Sequence, residues 1–363
     1  MIERTKARKI SHGGRAWRRG KRVRFILLYA LFIVVLLEIS SRLYWSIGDD
    51  VSFLVPDLFH AFYPEMKKIE AAPGAVSDNT FDVLILGGSV VYRRWADIDG
   101  RLGKELHRRT KRNVRIYNAS KPGHTTRDSM LKYQRLGTRS FDLVLVYHGI
   151  NEARANNCPP EMFREDYSHY AWYAHINGLA DHPEHRYVVL PYTGSFLVST
   201  IAERLGLVQR VPKATPNDKW VQFGADIKTA EPFRRNLTRI VELARRKNEP
   251  LLLMTFATHL PPNYSQQQLR QRQPTLRGTA LAVELWGRPG DVTAAVRAHN
   301  EVIEEVAQQY GTLFVDQDSL IPKDYGYFND ICHLSPDGCE RYVANILEVV
   351  LEVMRRRFGP DKR

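Results

Sequence analysis

The sequence predicts an α/β domain, three layers with helices on both faces of a central parallel sheet of roughly five strands, preceded by one transmembrane helix. Three observations point there. Apolar runs of strand length alternate with amphipathic stretches of helical length; the first three runs each open into a polar, glycine-containing loop; and an uncharged apolar segment follows a strongly basic amino terminus.

Taken in order, strands are expected at 82–86, 114–118, 143–147, 251–256 and 312–315. Helices are expected near Asp97 to His107, Arg127 to Leu136, Phe233 to Arg246, Val292 to Tyr310 and Pro336 to Arg357. The last helix is the best marked, with Ser335 as N-cap and Pro336 at its first position. In an open α/β sheet, reactive side chains collect beyond the carboxyl ends of the strands. Ser89, in Leu86-Gly87-Gly88-Ser89-Val90, therefore falls at the rim of the sheet. The same reasoning places Pro122-Gly123 after the second strand, and Gly149-Ile150-Asn151-Glu152 in the loop after the third. Far along the chain, Asn329-Asp330-Ile331-Cys332-His333 ends just before the last helix and sets an Asp three residues ahead of a His.

These residue types fit nucleophilic acyl chemistry. A serine hydroxyl is a weak nucleophile until a base takes its proton, and His has the side-chain pKa closest to working pH. His333 meets that need, and a carboxylate such as Asp330 fixes the imidazole tautomer and stabilises its charged form. The negative oxygen of a tetrahedral intermediate needs preorganised donors, each worth roughly 3 to 4 kcal/mol. Gly123 permits close backbone approach, and Asn151 brings an NH₂. Each block alone also has a plainer reading: Gly-Gly-Ser and Pro-Gly as turns, and the Asn151 block as a strand-to-loop turn.

The order of the four blocks resembles the SGNH/GDSL hydrolase family, over roughly residues 80 to 350. The resemblance implies the flavodoxin-like SGNH fold. It also implies Ser89 as nucleophile, His333 as base and Asp330 as its orienter, with Ser89 N–H, Gly123 N–H and the Asn151 side chain forming the oxyanion hole. Two departures stand out: Gly88 replaces the Asp of Gly-Asp-Ser, and Glu152 replaces the Asp that usually follows the third-block Asn. They bear on subfamily and substrate more than on the core chemistry. No cofactor is expected, and no metal site, because the histidines lack the spacing of a zinc motif.

The amino end speaks to location. Of the formal net charge of +13, residues 1–24 supply +9, as ten Lys or Arg against the single acid Glu3. The basic balance is thus mostly a topology signal, with the positive side inside. Nucleic acid is not expected as a partner, since no aromatic-interleaved binding module follows the basic tail. Phe25 to Leu37 carries no charge, and the apolar pattern resumes through Ile39, Leu43, Tyr44, Trp45 and Ile47. A helix over 25–47 is about 35 Å long at 1.5 Å per residue, enough to cross a bilayer. Glu38 and Arg42 interrupt it, but they stand four apart with the acid first, as in a helical ion pair. A cleaved signal peptide competes with this signal-anchor reading, though no small-x-small cleavage site follows. The expectation is a single-pass protein of the cell inner membrane, its amino terminus cytoplasmic and its catalytic domain in the periplasm or outside the cell.

This divides the chain into a basic tail (1–24), an anchor (25–47), a juxtamembrane neck (48–79) and a hydrolase-like domain (80–357) with insertions at about 155–232 and 258–291. The first insertion holds Tyr167, His169, Tyr170, Trp172, Tyr173 and His175, either a platform for sugar rings or plain packing. The second holds Pro261, Pro262, Tyr264, a Gln-rich run and Trp286, and looks like a lid or rim. Cys158, Cys332 and Cys339 allow one disulfide with one thiol left over outside the cytoplasm. Cys332 has a sharper alternative reading as a thiol nucleophile. Three functional classes follow: an ester hydrolase acting on acyl esters of cell-envelope glycan or lipid, an acyltransferase (O-acetyltransferase) with the same Ser-His-Asp machinery, and a non-catalytic envelope protein retaining the fold.

Overall fold

Runs rich in Val, Leu and Ile form the strands because they are buried on both faces, as parallel strands covered by helices must be. The computed structural model describes residues 13–72, 79–211, 220–260 and 286–359. In chain order its principal elements are α1 (Gly13–Asp49), β1 (Thr80–Gly87), α2 (Ile98–Thr110), β2 (Asn113–Asn118), α3 (Thr126–Arg135), β3 (Leu143–Tyr147), α4 (Ile150–Ala155), α5 (Ala171–Gly178), α6 (Leu190–Arg204), α7 (Ala230–Arg246), β4 (Leu251–Met254), α8 (Pro289–Tyr310), β5 (Leu313–Val315) and α9 (Pro336–Phe358). They fall into two compact units, one of residues up to Phe62 with Gly178–Leu207, the other of Tyr63–Asn177 with Val208 onward.

The larger unit is built on a five-stranded, wholly parallel sheet in the order β2-β1-β3-β4-β5. This is the three-layer α/β/α arrangement with a central parallel sheet expected from the sequence. Alternate residues of the strands point to opposite faces. Phe81, Val83 and Ile85 of β1 join Leu143 and Leu145 of β3, Leu102 and Leu106 of α2, and Ile346 and Val350 of α9 in one apolar cluster. On β3 and β4, Val146 and Leu253 border a small space together with Phe233 and Leu237 of α7 and Ile303 of α8. The chain leaves β1 for β2 on one side and then crosses to β3 on the other. The carboxyl ends of β1 and β3 thus form a topological switch point, where open α/β sheets bind ligands.

Element boundaries sit close to those expected. β4 stops at Met254 rather than 256 because its neighbour β5 is only three residues long. Beyond it, Phe256 N–H turns to the Asn300 side chain at 2.7 Å. The 149–152 block is not an open loop, since α4 begins at Ile150 and sets Asn151 in a first helical turn. Tyr63, Met66 and Ile69, from the stretch expected to be a neck, are buried in the larger unit. Tyr63 hydroxyl donates to Asp128 at 2.9 Å.

In the smaller unit, α1 extends beyond 25–47 at both ends. Its portion Lys21–Asp49 is long and apolar enough to cross a membrane, and its side chains from Phe25 to Leu37 are largely exposed. Residues 1–12 of the basic tail, 73–78 of the neck, and 261–285 of the second insertion, with Pro261, Pro262, Tyr264 and the Gln-rich run, lie outside the described residues.

Candidate active site

Two local devices present Ser89. β1 delivers the chain to the rim of the sheet, and Gly87-Gly88 then lets it turn into a single 3-10 turn, Ser89–Val91. At the other end, Ser335 caps α9 by accepting from Gly338 N–H at 3.1 Å, which fixes where the preceding loop must stop. That loop folds on the Asp330 carboxylate, whose Oδ1 accepts from Cys332 N–H at 2.9 Å and His333 N–H at 2.8 Å.

The two segments meet. Ser89 Oγ lies 2.7 Å from His333 Nε2, and His333 Nδ1 lies 2.7 Å from Asp330 Oδ2. All three side chains are nearly inaccessible, at 4% for Ser89, 1% for His333 and 2% for Asp330. Burial by itself would raise the Asp330 carboxyl, but the adjacent His333 ring and the hydrogen bonds from His333 and Cys332 hold it below the usual range. A carboxylate accepting at Oδ2 requires the proton on Nδ1, which leaves Nε2 to accept from the serine hydroxyl. Trp95 packs edge-on against the His333 ring at 5.3 Å between centroids, and Trp286 lies 6.3 Å from it.

The second and third blocks close on the same point. Gly123 adopts φ +74°, a left-handed conformation that an L side chain would strain. The next residue, His124, accepts at its carbonyl from Asn151 Nδ2 at 2.8 Å. Gly88 is pinned between them, since a Cβ there would fall 2.8 Å from Asn151 Nδ2 and 3.2 Å from His124 O. The departure from Gly-Asp-Ser therefore has a steric reason: no side chain fits at 88 while Asn151 stays in place. Accordingly, Gly88→Ala is expected to lower kcat in a protein that still folds, and a variant with unchanged steady-state kinetics counts against this contact.

Glu152, the other departure, acts as a tie. Fully buried, its Oε1 accepts from Thr126 N–H at 2.5 Å, satisfying an otherwise unbonded donor in the first turn of α3. Thr125 and Asp128 complete a capping box at the same helix start. Asp128 also accepts from Tyr63, Tyr173 and Trp172 at 2.9, 2.6 and 3.0 Å. Lys132, with no exposed surface, bonds the Ala119 carbonyl at 2.5 Å and His124 Nδ1 at 2.7 Å, and pairs with Glu65 at 2.7 Å. Burial lowers its pKa.

Burial pushes the Glu152 carboxyl up to about 8 from an ordinary 4.5. The folded state then binds the proton more tightly than the unfolded state, so stability falls as pH rises from about 4.5 towards about 8. Glu152→Gln keeps an acceptor for Thr126 N–H and is expected to flatten that decline, read as the pH dependence of the urea midpoint. Parallel curves for the two proteins would sink this assignment.

Sequence reasoning named Ser89, Gly123, Asn151, Asp330 and His333; the structure joins Ser89, His333 and Asp330 by hydrogen bonds and ties Asn151, at the start of α4, to the carbonyl of the residue after Gly123. It missed Trp95, His124 and the Lys132–Asp128 network, for which a lone Trp and a helical Lys give no local signal. The aromatic insertion reads as packing: Tyr167, His169, Tyr170 and Tyr173 are buried, and Tyr173 serves Asp128. The three cysteines carry free, buried thiols rather than a disulfide. The sulfurs of Cys158 and Cys339 contact carbonyls of their own local chain, Ala155 and Leu334. Cys332 Sγ lies 3.6 Å from His333 Nδ1, but burial and then the Asp330 charge push its thiol well above the ordinary value, which disfavours a thiolate. Asp330, Cys332 and His333 bring potential metal-ligand atoms within 4.8 Å of one another, but Asp330 and His333 already bond each other.

A family model of GDSL-like lipases and acylhydrolases matches residues 85–341, from just before Ser89 to just past His333. The chain belongs to the GDSL-like lipase/acylhydrolase family. It is an ester-hydrolysing enzyme of that family. No curated protein matches the sequence. Solved structures similar to this GDSL-like enzyme include a GDSL-like lipase from Bacteroides thetaiotaomicron (14% identity, 80% of this chain and 98% of that one, TM-score 0.45). A lipase/acylhydrolase from Enterococcus faecalis is 15% identical over 74% of this chain and 95% of that one, with TM-score 0.39. A variant acetyl-xylooligosaccharide esterase from Geobacillus is 12% identical over 78% and 95%, also with TM-score 0.39.

Proposed function

We propose that this GDSL-like enzyme is an extracytoplasmic serine esterase that removes acyl groups from cell-envelope glycan or lipid, tethered by α1 to the inner membrane. The observation that carries the chemistry is the unbroken chain of two 2.7 Å contacts from Ser89 Oγ through His333 to Asp330. His333 Nε2 takes the Ser89 proton as Oγ attacks the ester carbonyl, while Asp330 holds Nδ1–H and stabilises the imidazolium. The oxyanion is received by Ser89 N–H, Gly123 N–H and the Asn151 hydrogen not given to His124. Collapse of the intermediate expels the alcohol with the proton from His333, and water then releases the acyl group by the same steps in reverse.

The location rests on the ten-to-one excess of basic over acidic residues ahead of Phe25 and on the exposed apolar surface of α1. A periplasmic-type enzyme reporter fused after Arg363 is expected to be active in whole cells. Activity of a cytoplasmic reporter at the same position would exclude the anchor.

A second reading, transfer of the acyl group to a sugar hydroxyl, is favoured by the burial of Ser89 and His333 and the two tryptophans around the base, which restrict water. A fluorophosphonate probe is expected to label the wild-type protein and not Ser89→Ala. Acetate release from an acetylated donor that is unchanged by added glycan acceptor supports hydrolysis; acetylated acceptor in its place supports transfer. Absence of both labelling and turnover would exclude catalysis.

A further inference from the structure

We propose that residues 187–202, within the first insertion, are a second lipid-contacting element: a helix docked on the anchor and held there by Glu38 and Arg42, with its outer face in the bilayer. This rests on the reading of α1 as a membrane span and extends it.

Glu38 and Arg42 are the residues that interrupt the apolar pattern of α1. An ion pair in hydrocarbon is costly unless its hydrogen-bonding capacity is consumed. Here it is. Glu38 accepts from Arg42 Nε at 2.7 Å, from Val189 N–H at 3.1 Å and from Leu190 N–H at 2.9 Å. Arg42 in turn donates to the carbonyls of Phe53 at 2.9 Å, Leu54 at 3.2 Å and Tyr187 at 2.5 Å. The pair therefore caps the start of α6, whose first N–H groups would otherwise be orphaned away from water.

Below the cap, the two helices are fastened by side chains. Trp45 Nε1 donates to Thr193 Oγ1 at 2.9 Å, and the Trp45 ring packs tilted against Tyr192 and edge-on against Phe196, with centroids 5.9 and 5.0 Å away. The opposite side of the segment is unlike a water-facing surface. From Tyr187 to Ala202 there is no charged residue, and Tyr187, Val188, Leu197, Val198 and Ile201 are 77, 44, 42, 68 and 54% exposed. Exposed apolar side chains of α1 run up to this cap, with Leu36, Leu37 and Ile39 at 47, 47 and 41%. An apolar surface that continues that of the anchor, and whose charges are spent internally, fits lipid acyl chains rather than a polar partner.

The test uses the full-length protein in phosphatidylcholine/phosphatidylglycerol vesicles, with an environment-sensitive fluorophore on a single introduced cysteine; the three native thiols are buried, and the unsubstituted protein serves as blank. Labels at Val188→Cys and Val198→Cys are expected to emit blue-shifted and to be quenched by doxyl-labelled lipid to an extent approaching that of Leu31→Cys, in the middle of α1. A label at Arg297→Cys, on α8, is expected to show neither effect. Quenching at Leu31 without quenching at Val188 and Val198 overturns this inference and leaves the anchor standing. No quenching at any of these positions removes the anchor and the inference together. Probe-to-probe proximity at Val198 without lipid quenching assigns the face to a second copy of the chain and equally overturns the proposal.

Discussion

Ser89→Ala is expected to lower kcat on an activated aryl acetate by about 10⁶-fold, the scale seen when the nucleophile of a comparable serine enzyme is removed. The loss is expected to be chemical rather than structural, since among the described residues the hydrogen bond of Ser89 Oγ is to His333 Nε2; the thermal midpoint is expected to stay close to that of the wild type. His333→Ala should be about as damaging, and the double variant no worse than either single one, as for any nucleophile and base that act as a unit. Asp330→Asn is expected to cost about 10⁴-fold. An amide at 330 can present its NH₂ to His333 Nδ1, which then favours the tautomer with its proton on Nε2 and nothing to accept the serine proton. Turnover by Ser89→Ala at the wild-type rate would show that another group is the nucleophile.

Asn151→Ala is expected to reduce kcat by roughly 10² to 10³ with KM nearly unchanged, because a donor to the oxyanion strengthens only as charge develops in the transition state. The structure adds a second cause for the loss. Asn151 Nδ2 also ties the third block to the His124 carbonyl at 2.8 Å, so its removal loosens the Gly123 loop as well as deleting a donor. Asn151→Asp should be at least as harmful, since a carboxylate can neither donate to His124 O nor accommodate a negative oxygen. Near-normal kcat in a folded Asn151→Ala protein would reduce the block to a helix start and remove Asn151 from the oxyanion hole.

Much of this was legible in the chain. Buried parallel strands are short, continuous apolar runs, and in an open sheet the residue after such a run lies at the catalytic rim. That local rule was enough to place Ser89, the Gly123 and Asn151 blocks, and the five-stranded sheet. The Asp330–His333 pair was equally visible, because its spacing and the capping pattern Ser335-Pro336 are both local. The departures at Gly88 and Glu152 were visible as letters but not as contacts.

The sequence by itself determined which residue types stand at the carboxyl ends of the strands, the order of the blocks, the family, and the apolar helix behind a basic tail. Each depends on neighbours within a few positions, where helix and strand periods and capping rules act. Tertiary structure decided that Gly88 must lack a side chain because Asn151 occupies its Cβ space, that Glu152 ties α4 to α3, and that Tyr173 is packing that supports Asp128. It also decided that Glu38 and Arg42, read from sequence as an obstacle within a span, are the cap of a helix some 150 residues away. These contacts join segments that are distant in the chain, and the free energy that selects them comes from burial and from the cost of leaving buried polar groups unbonded, which no short window of sequence contains.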